Sequence, residues 1–125
     1  MQSVPFSVDE YEGFVEAGGL VRMEEDSVVL EFRKKEGVFG IPVSGLKEKR
    51  IPISELSAVI FKKKVFGAKL IISGHKMSTF ADIPGSQNAE IILGIARKDR
   101  EAAQELEANL SLRIAEARLR ELDKQ

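Results

Sequence analysis

Hydrophobic and polar residues alternate in short runs along most of the chain, a period of two that is typical of half-buried β-strands. The clearest run extends from Arg50 to Phe66 and is interrupted by Ser54-Glu55. Its two halves predict two strands joined by a tight connection, and we expect this hairpin to lie in the middle of an antiparallel sheet. Shorter runs on both sides predict the strands that extend the sheet.

Two strands are predicted before this central hairpin and three after it. A turn at Glu25-Asp26 separates the first two strands, which occupy Leu20 to Lys35. Turns at Gly67, Gly74-His75 and Pro84-Gly85 separate the later strands, and the Pro-Gly pair suits a type II turn. The positions that alternate on one face of each predicted strand are Val21 and Met23; Val28, Leu30 and Phe32; Ile51 and Ile53; Leu56, Ala58 and Ile60; Ala68, Leu70 and Ile72; Met77, Thr79 and Ala81; Ala89, Ile91, Leu93 and Ile95.

The N-terminal residues predict a short helix. Ser7 and Glu10 match a capping box, in which the serine hydroxyl bonds the Glu10 amide and the carboxylate reaches back to the serine. We expect the helix over about Val8 to Ala17. Gly18-Gly19 leaves the turn of a hairpin as the alternative.

From about Asp99 to about Asp123 the period becomes that of a helix, and the helix carries two apolar stripes. One follows i, i+3, i+4 spacing and is expected to pack on the sheet: Ala103, Leu106, Leu110, Ile114 and Ala117. The other lies roughly 150° around the helix at about 100° per residue: Ala108, Leu112, Ala115, Leu119 and Leu122. We predict that this second stripe pairs with a helix of another subunit. The alternatives are a fraying, exposed end, or packing against Phe6 and Tyr11 of the same chain.

The segment from Glu36 to Lys47 is rich in glycine and proline and predicts a loop. Its apolar residues Val38, Phe39 and Ile41 either cover the open end of the sheet or form an exposed contact surface.

Composition bounds the architecture and the compartment. A chain of 125 residues with 43% apolar residues suffices for one domain with a core, and it contains no cysteine. We expect a lead-in over residues 1–18, barrel strands over 19–96 and the helix over 97–125. The absence of cysteine excludes disulfide scaffolds and suits a cytoplasmic protein. No apolar run approaches a membrane span, so we expect membrane contact to be peripheral at most.

Charge is distributed unevenly although its net value is −1, which gives no electrostatic reason to bind nucleic acid. Residues 1–32 carry eight acidic side chains and one basic one, whereas residues 33–64 carry nine basic and three acidic ones. Either these halves face each other or form solvated surfaces, or the molecule docks onto copies of itself or an acidic partner. The basic clusters could form one patch for an acidic protein or an anionic lipid: Arg33, Lys34, Lys35, Lys47, Lys49, Arg50, Lys62, Lys63 and Lys64.

No catalytic, cofactor or metal site is predicted. His75 is the single histidine, it follows a turn glycine, and we expect it to be exposed. One histidine without cysteine cannot form an ordinary zinc site. We therefore favour a non-catalytic binding or assembly module, with no named small-molecule ligand, over an enzyme or carrier that holds a ligand inside the barrel. The expected interior positions are aliphatic or aromatic: Leu30, Phe32, Ile60, Leu70 and Leu93.

Seven strands followed by one helix resemble the small bacterial pleckstrin-homology-like domains, several families of which have no assigned function. The resemblance covers roughly Leu20 to Leu110 and rests also on the phrase from Arg50 to Val59 with its lysine tail. It implies a seven-stranded antiparallel barrel or roll capped by one helix, and a binding function. The phosphoinositide site of relatives would fall at Glu24 to Asp26, whose charge repels phosphate. A peptide groove would lie between Ala68 to Ser73 and the early helix.

Overall fold

The computed structural model describes residues 3–10, 15–36, 45–81, 83 and 86–123. These residues form seven antiparallel strands and one long helix, which confirms the mainly β class with a C-terminal helix. Short 3-10 turns at Ile53–Glu55 and Arg97–Asp99 precede β5 and the helix. The elements are β1 Val4–Glu10, β2 Val15–Glu24, β3 Ser27–Glu36, β4 Lys47–Pro52, β5 Leu56–Lys63, β6 Gly67–Gly74, β7 Glu90–Ala96 and α1 Arg100–Asp123.

Among the described residues the strand order is β4-β3-β2-β1-β7-β6-β5, so β4 and β5 are the two edges of a sheet that is not closed. The predicted central hairpin is therefore wrong, because its two strands follow each other in sequence but do not pair. The 3-10 turn Ile53–Glu55 redirects the chain between them. Ile53 anchors this turn: its side chain is buried, and its backbone N–H donates to the carbonyl of Asp26 at 2.8 Å.

The N-terminal helix predicted over Val8 to Ala17 is also wrong, because residues 4–10 and 15–24 are strands. Val4, Phe6 and Val8 alternate along β1, and all three are buried in the core. A helix would place these three side chains on different faces, so they could not all be buried together. Gly18-Gly19 lies inside β2 opposite β1 and β3 rather than in a turn. The sheet thus begins at Val4 instead of residue 19.

The strand predicted to contain Met77, Thr79 and Ala81 is absent from the structure, where residues 75–81 form turns. Thr79 and Phe80 are buried, whereas Met77 is 70% exposed. The strand count stays at seven because β1 is the strand that the sequence pattern missed. Pro84 and Gly85 lie outside the described residues, as do Val38, Phe39 and Ile41.

The alternation of buried and exposed residues in β5 changes face near the start of the strand. The pairing with β6 changes register between Leu56 and Ala58, as in a β-bulge. Leu56 and Val59 are buried in consequence, and Ile60 is 47% exposed. Ile60 was therefore wrongly expected in the interior. The other four expected interior residues are buried: Leu30, Phe32, Leu70 and Leu93.

The helix α1 closes the core with its first stripe, as predicted. Ala103, Leu106, Leu110 and Ile114 are buried, and Ala117 packs against them. Two arginines fix the helix to the sheet. Arg113 donates to the Glu25 carbonyl at 2.5 Å and to Asp26 Oδ1 at 3.0 Å, and Arg118 donates to the Ser57 carbonyl at 3.2 Å. No helix in the described part of the chain is long and apolar enough to cross a membrane.

Candidate functional site

The second stripe of α1, which we call the outer stripe, faces away from the sheet. Its leucines are 59%, 62% and 57% exposed at Leu112, Leu119 and Leu122, and its two alanines are exposed as well. The alternative that these leucines pack against Phe6 is wrong, because Phe6 is buried in the core. Tyr11 lies outside the described residues. The whole stripe is helical, because α1 continues to Asp123.

The outer stripe has the spacing of a coiled-coil seam. Its members are separated by four, three, four and three residues, from Ala108 to Leu122. Such a repeat of 3.5 residues keeps one apolar line in contact with a partner helix. Ser111 and Arg118 border the stripe on one side, and Glu116 and Asp123 border it on the other. The flanks therefore carry opposite charges.

A groove of about 620 Å³ lies between the 3-10 turn Ile53–Glu55, the turn after β6 and the C-terminal half of α1. Its apolar floor includes Leu56 and Ile114, and its rim carries both acidic and basic side chains. His75 is exposed at this rim, as predicted for a turn residue. Thr79 lines the groove, and its Oγ1 is buried without a hydrogen-bond partner. The volume is that of a small-molecule pocket, but the mixed charges favour no particular ligand.

The predicted basic patch divides between the two edges of the sheet. Arg33 and Lys47 lie close together because Phe32 pairs with Lys47 across β3 and β4. At the other edge of the strand order, Lys62 and Lys63 end β5 and Lys64 follows it. Their neighbours there are basic residues that the sequence pattern did not single out: Arg97, Lys98 and Arg100. The side chains of Lys34 and Lys35 lie outside the described residues.

The strand proposed for a peptide groove has no free edge. Ala68 to Ser73 lies within β6, which pairs with β5 on one side and β7 on the other. Its inward residues Ala68, Leu70 and Ile72 are buried in the core. A peptide therefore cannot join the sheet at this position by adding a strand.

Within the described ranges, no group of three or more histidine, aspartate or glutamate residues could hold a metal ion. Known proteins provide no further guidance. No family model, curated protein or solved structure matches the chain. The exposed surfaces of the molecule are therefore the basis for a functional proposal.

An ion-pair network on the outer face of β2, β3 and β4 went unrecognised in the sequence. Arg22 donates to Glu24, to Glu31 at 2.5 Å and to Glu48 at 3.4 Å, and Arg50 donates to Glu24 at 3.1 Å. Between the two arginines in register lies Val29, which is fully buried although it faces away from the core cluster. The Glu24–Arg50 pair joins the acidic N-terminal segment to the basic middle segment.

The Val29 side chain is buried on the outer face of the sheet, between Arg22 on β2 and Arg50 on β4. Arginine side chains can cover apolar surface with their methylene groups while the guanidinium remains in contact with carboxylates. The network therefore combines charge pairing with shielding of an apolar side chain. Because Arg22 and Arg50 are paired with glutamates within the chain, the network stabilises the fold and does not form a free basic surface.

We expect Glu24→Gln to reduce the loss of stability on acidification. Hydrogen bonds from Arg22, and secondarily from Arg50, lower the pKa of the Glu24 carboxylate below its usual value of 4.5. A lowered folded-state pKa gives stabilisation that is complete above the unfolded-state pKa and is lost as pH falls through the folded-state pKa. Urea unfolding at stepped pH values below 4.5 measures this slope.

Glu105→Gln, on the exposed surface of α1, controls for the loss of one carboxylate from the net charge. An acid slope that is the same in Glu24→Gln as in the wild-type protein would contradict a stabilising role for the ionised Glu24.

Proposed function

We propose that this protein is a non-catalytic assembly module of pleckstrin-homology-like architecture that associates with a second copy of itself through the outer stripe. The observation that carries the proposal is the exposure of Leu112, Leu119 and Leu122 on a helix whose opposite face is already buried. Three leucines in a line on one face form an apolar surface that monomeric proteins seldom present to water. The seven antiparallel strands followed by one helix support the architectural part of the proposal.

A second copy is favoured because the flanking charges complement themselves. In a parallel pair of helices, a residue on one flank of the seam meets the residue five positions later on the opposite flank of the partner helix. Arg118 of one copy then lies opposite Asp123 of the other, and the symmetry of the pair repeats the contact. Because one Arg118 nitrogen already donates to the Ser57 carbonyl, the contact with Asp123 would use the remaining guanidinium N–H groups. An antiparallel pair centred on Ala115 and Leu119 would instead bring Glu116 of one copy near Glu116 of the other, where like charges repel. The charges therefore favour a parallel, two-fold arrangement.

The alternative function, binding of a ligand among the inward-facing side chains of the sheet, has less support than self-association. The inward residues Leu30, Leu70 and Leu93 are fully buried, and Phe32 is 3% exposed. They belong to one contiguous core cluster that also includes the buried face of α1. Packed apolar side chains fill space that a ligand would need.

The double substitution Leu112→Asp with Leu119→Asp tests the proposal. We expect the wild-type protein to sediment as a dimer at tens of micromolar and the double variant to sediment as a monomer, because two carboxylates per chain would be placed in the apolar seam. Far-ultraviolet circular dichroism should show that the variant remains folded, since both positions are exposed.

Leu46→Asp is the matched control. Leu46 is 61% exposed, close to the 62% of Leu119, but it lies before β4 and outside the helix. We expect this variant to keep the wild-type mass. A wild-type protein that is monomeric at this concentration would overturn the proposal, as would a folded double variant that retains the dimer mass.

A further inference from the structure

The turn between β5 and β6 presents two large apolar side chains to solvent. The backbone N–H of Lys64 donates to the carbonyl of Gly67 at 2.8 Å, which leaves Val65 and Phe66 at the tip of the turn. Their side chains are 78% and 87% exposed. Tight turns between strands favour glycine, asparagine and aspartate. Valine and phenylalanine are not required by the turn, and they pack little surface within the chain.

Basic side chains from β5, β6, the 3-10 turn Arg97–Asp99 and α1 lie near this tip. Gly67, next to Phe66, pairs with Ala96 at the end of β7, so the chain that continues into α1 starts beside the turn. Arg100 donates from its guanidinium to the Lys64 carbonyl at 3.0 Å. The basic collar, as we call it, consists of Lys62, Lys63, Lys64, Lys69, Arg97, Lys98 and Arg100.

The collar is exposed and only weakly balanced by acidic groups. Of its seven side chains, Arg100 alone is partly buried, and the others are exposed. The carboxylates in the same stretch of chain are Asp99, one of whose oxygens is buried, and Glu101. The tip thus combines an apolar point with a positively charged surround.

We infer that the β5–β6 turn docks the protein on the surface of an anionic lipid bilayer. Val65 and Phe66 enter the boundary between headgroups and acyl chains, and the basic collar contacts the anionic headgroups. An apolar tip of two residues gains from a fluid interface, which accommodates it without a shaped pocket. Each lysine or arginine side chain close to an anionic membrane surface raises the binding affinity by roughly fivefold. This docking is independent of the pairing of α1 with a second copy.

A tryptophan at the tip reports directly on insertion, because the chain contains no tryptophan of its own. We would measure the fluorescence of Phe66→Trp with vesicles of phosphatidylcholine alone and of phosphatidylcholine mixed with phosphatidylserine. Met77→Trp is the matched control, since Met77 is 70% exposed and follows the opposite end of β6. Polyglutamate serves as an acidic macromolecule without a bilayer.

We expect the emission of Phe66→Trp to shift to shorter wavelength with the mixed vesicles and not with those of phosphatidylcholine alone. The emission of Met77→Trp should remain unchanged with both. Adding Lys63→Glu and Lys64→Glu to Phe66→Trp should weaken vesicle binding by about tenfold or more. Added salt should also weaken it.

Three results would overturn the inference. These are no shift with the mixed vesicles, an equal shift with phosphatidylcholine alone, and an equal shift of Met77→Trp. Binding of polyglutamate without a shift on vesicles would assign the collar to an acidic protein instead of a membrane. Circular dichroism of each variant separates loss of binding from loss of fold.

Discussion

Gly19→Ala is expected to lower the free energy of unfolding by about 3 kcal/mol or more, because backbone atoms occupy the space that a side chain needs. A Cβ atom on Gly19 would lie 1.7 Å from the carbonyl oxygen of Glu31 and 2.8 Å from the Cα of Phe32. Both atoms belong to β3, which pairs with β2 along its whole length. The two strands would have to separate locally, since backbone cannot rotate away as a side chain can.

Substitutions at two other glycines, Gly18 and Gly45, give a graded control. A Cβ on Gly18 would meet the Phe6 carbonyl at 3.3 Å, so Gly18→Ala should be destabilising by less. Gly45 has no atom within 4 Å of its Cβ position, and Gly45→Ala should leave stability unchanged or raise it slightly. Urea unfolding followed by circular dichroism measures all three variants. If Gly19→Ala were as stable as Gly45→Ala, the close approach of β2 and β3 would be contradicted.

The parts of the fold that could be predicted are those where local pattern and tertiary environment agree. In β3, Val28, Leu30 and Phe32 alternate and are buried, and the first stripe of α1 packs as its spacing predicts. The errors occur where a non-local partner decides. Alternation marks two strands around Ser54, but it does not indicate whether the strands pair or turn to opposite edges of the sheet.

Two further errors have similar causes. A bulge in the β5–β6 pairing reverses the exposure of Ile60, and a bulge depends on the partner strand. The capping box at Ser7 and Glu10 is a valid local signal for a helix. It is overridden because Val4, Phe6 and Val8 gain more from burial in the sheet than a short, glycine-containing helix gains from its cap.

The candidate surfaces show the same division. The outer stripe could be recognised from sequence because a helix places its residues on one face by spacing alone. The basic collar could be recognised only in part, through Lys62 to Lys64, since Lys69 and Arg97 join it through strand pairing. Val65-Phe66 beside Gly67 was the available signal for the tip, as two large apolar residues at a turn. The Arg22 network depends on the register of three strands and has no local pattern.

Phe80→Ala is expected to lower the free energy of unfolding by about 3–5 kcal/mol, the cost of removing a fully buried aromatic ring. Phe80 is 0% exposed and belongs to the main core cluster although it lies in a turn region rather than a strand. Hydrogen bonds from Thr79 to the Lys76 carbonyl at 3.1 Å and from Ile83 to the Phe80 carbonyl at 3.0 Å hold these turns. They direct the ring into the core.

Met77→Ala distinguishes this arrangement from the strand that alternation predicted. In such a strand Met77, Thr79 and Ala81 would face the core and Phe80 would face solvent, so Met77→Ala would be the more damaging change. In the structure Met77 is 70% exposed, and its truncation should change stability by no more than about 0.5 kcal/mol. Urea unfolding of the two variants under the same conditions decides between the arrangements. A larger loss for Met77→Ala than for Phe80→Ala would restore the strand and contradict the turns, because it would require the opposite residues of this segment to contact the core.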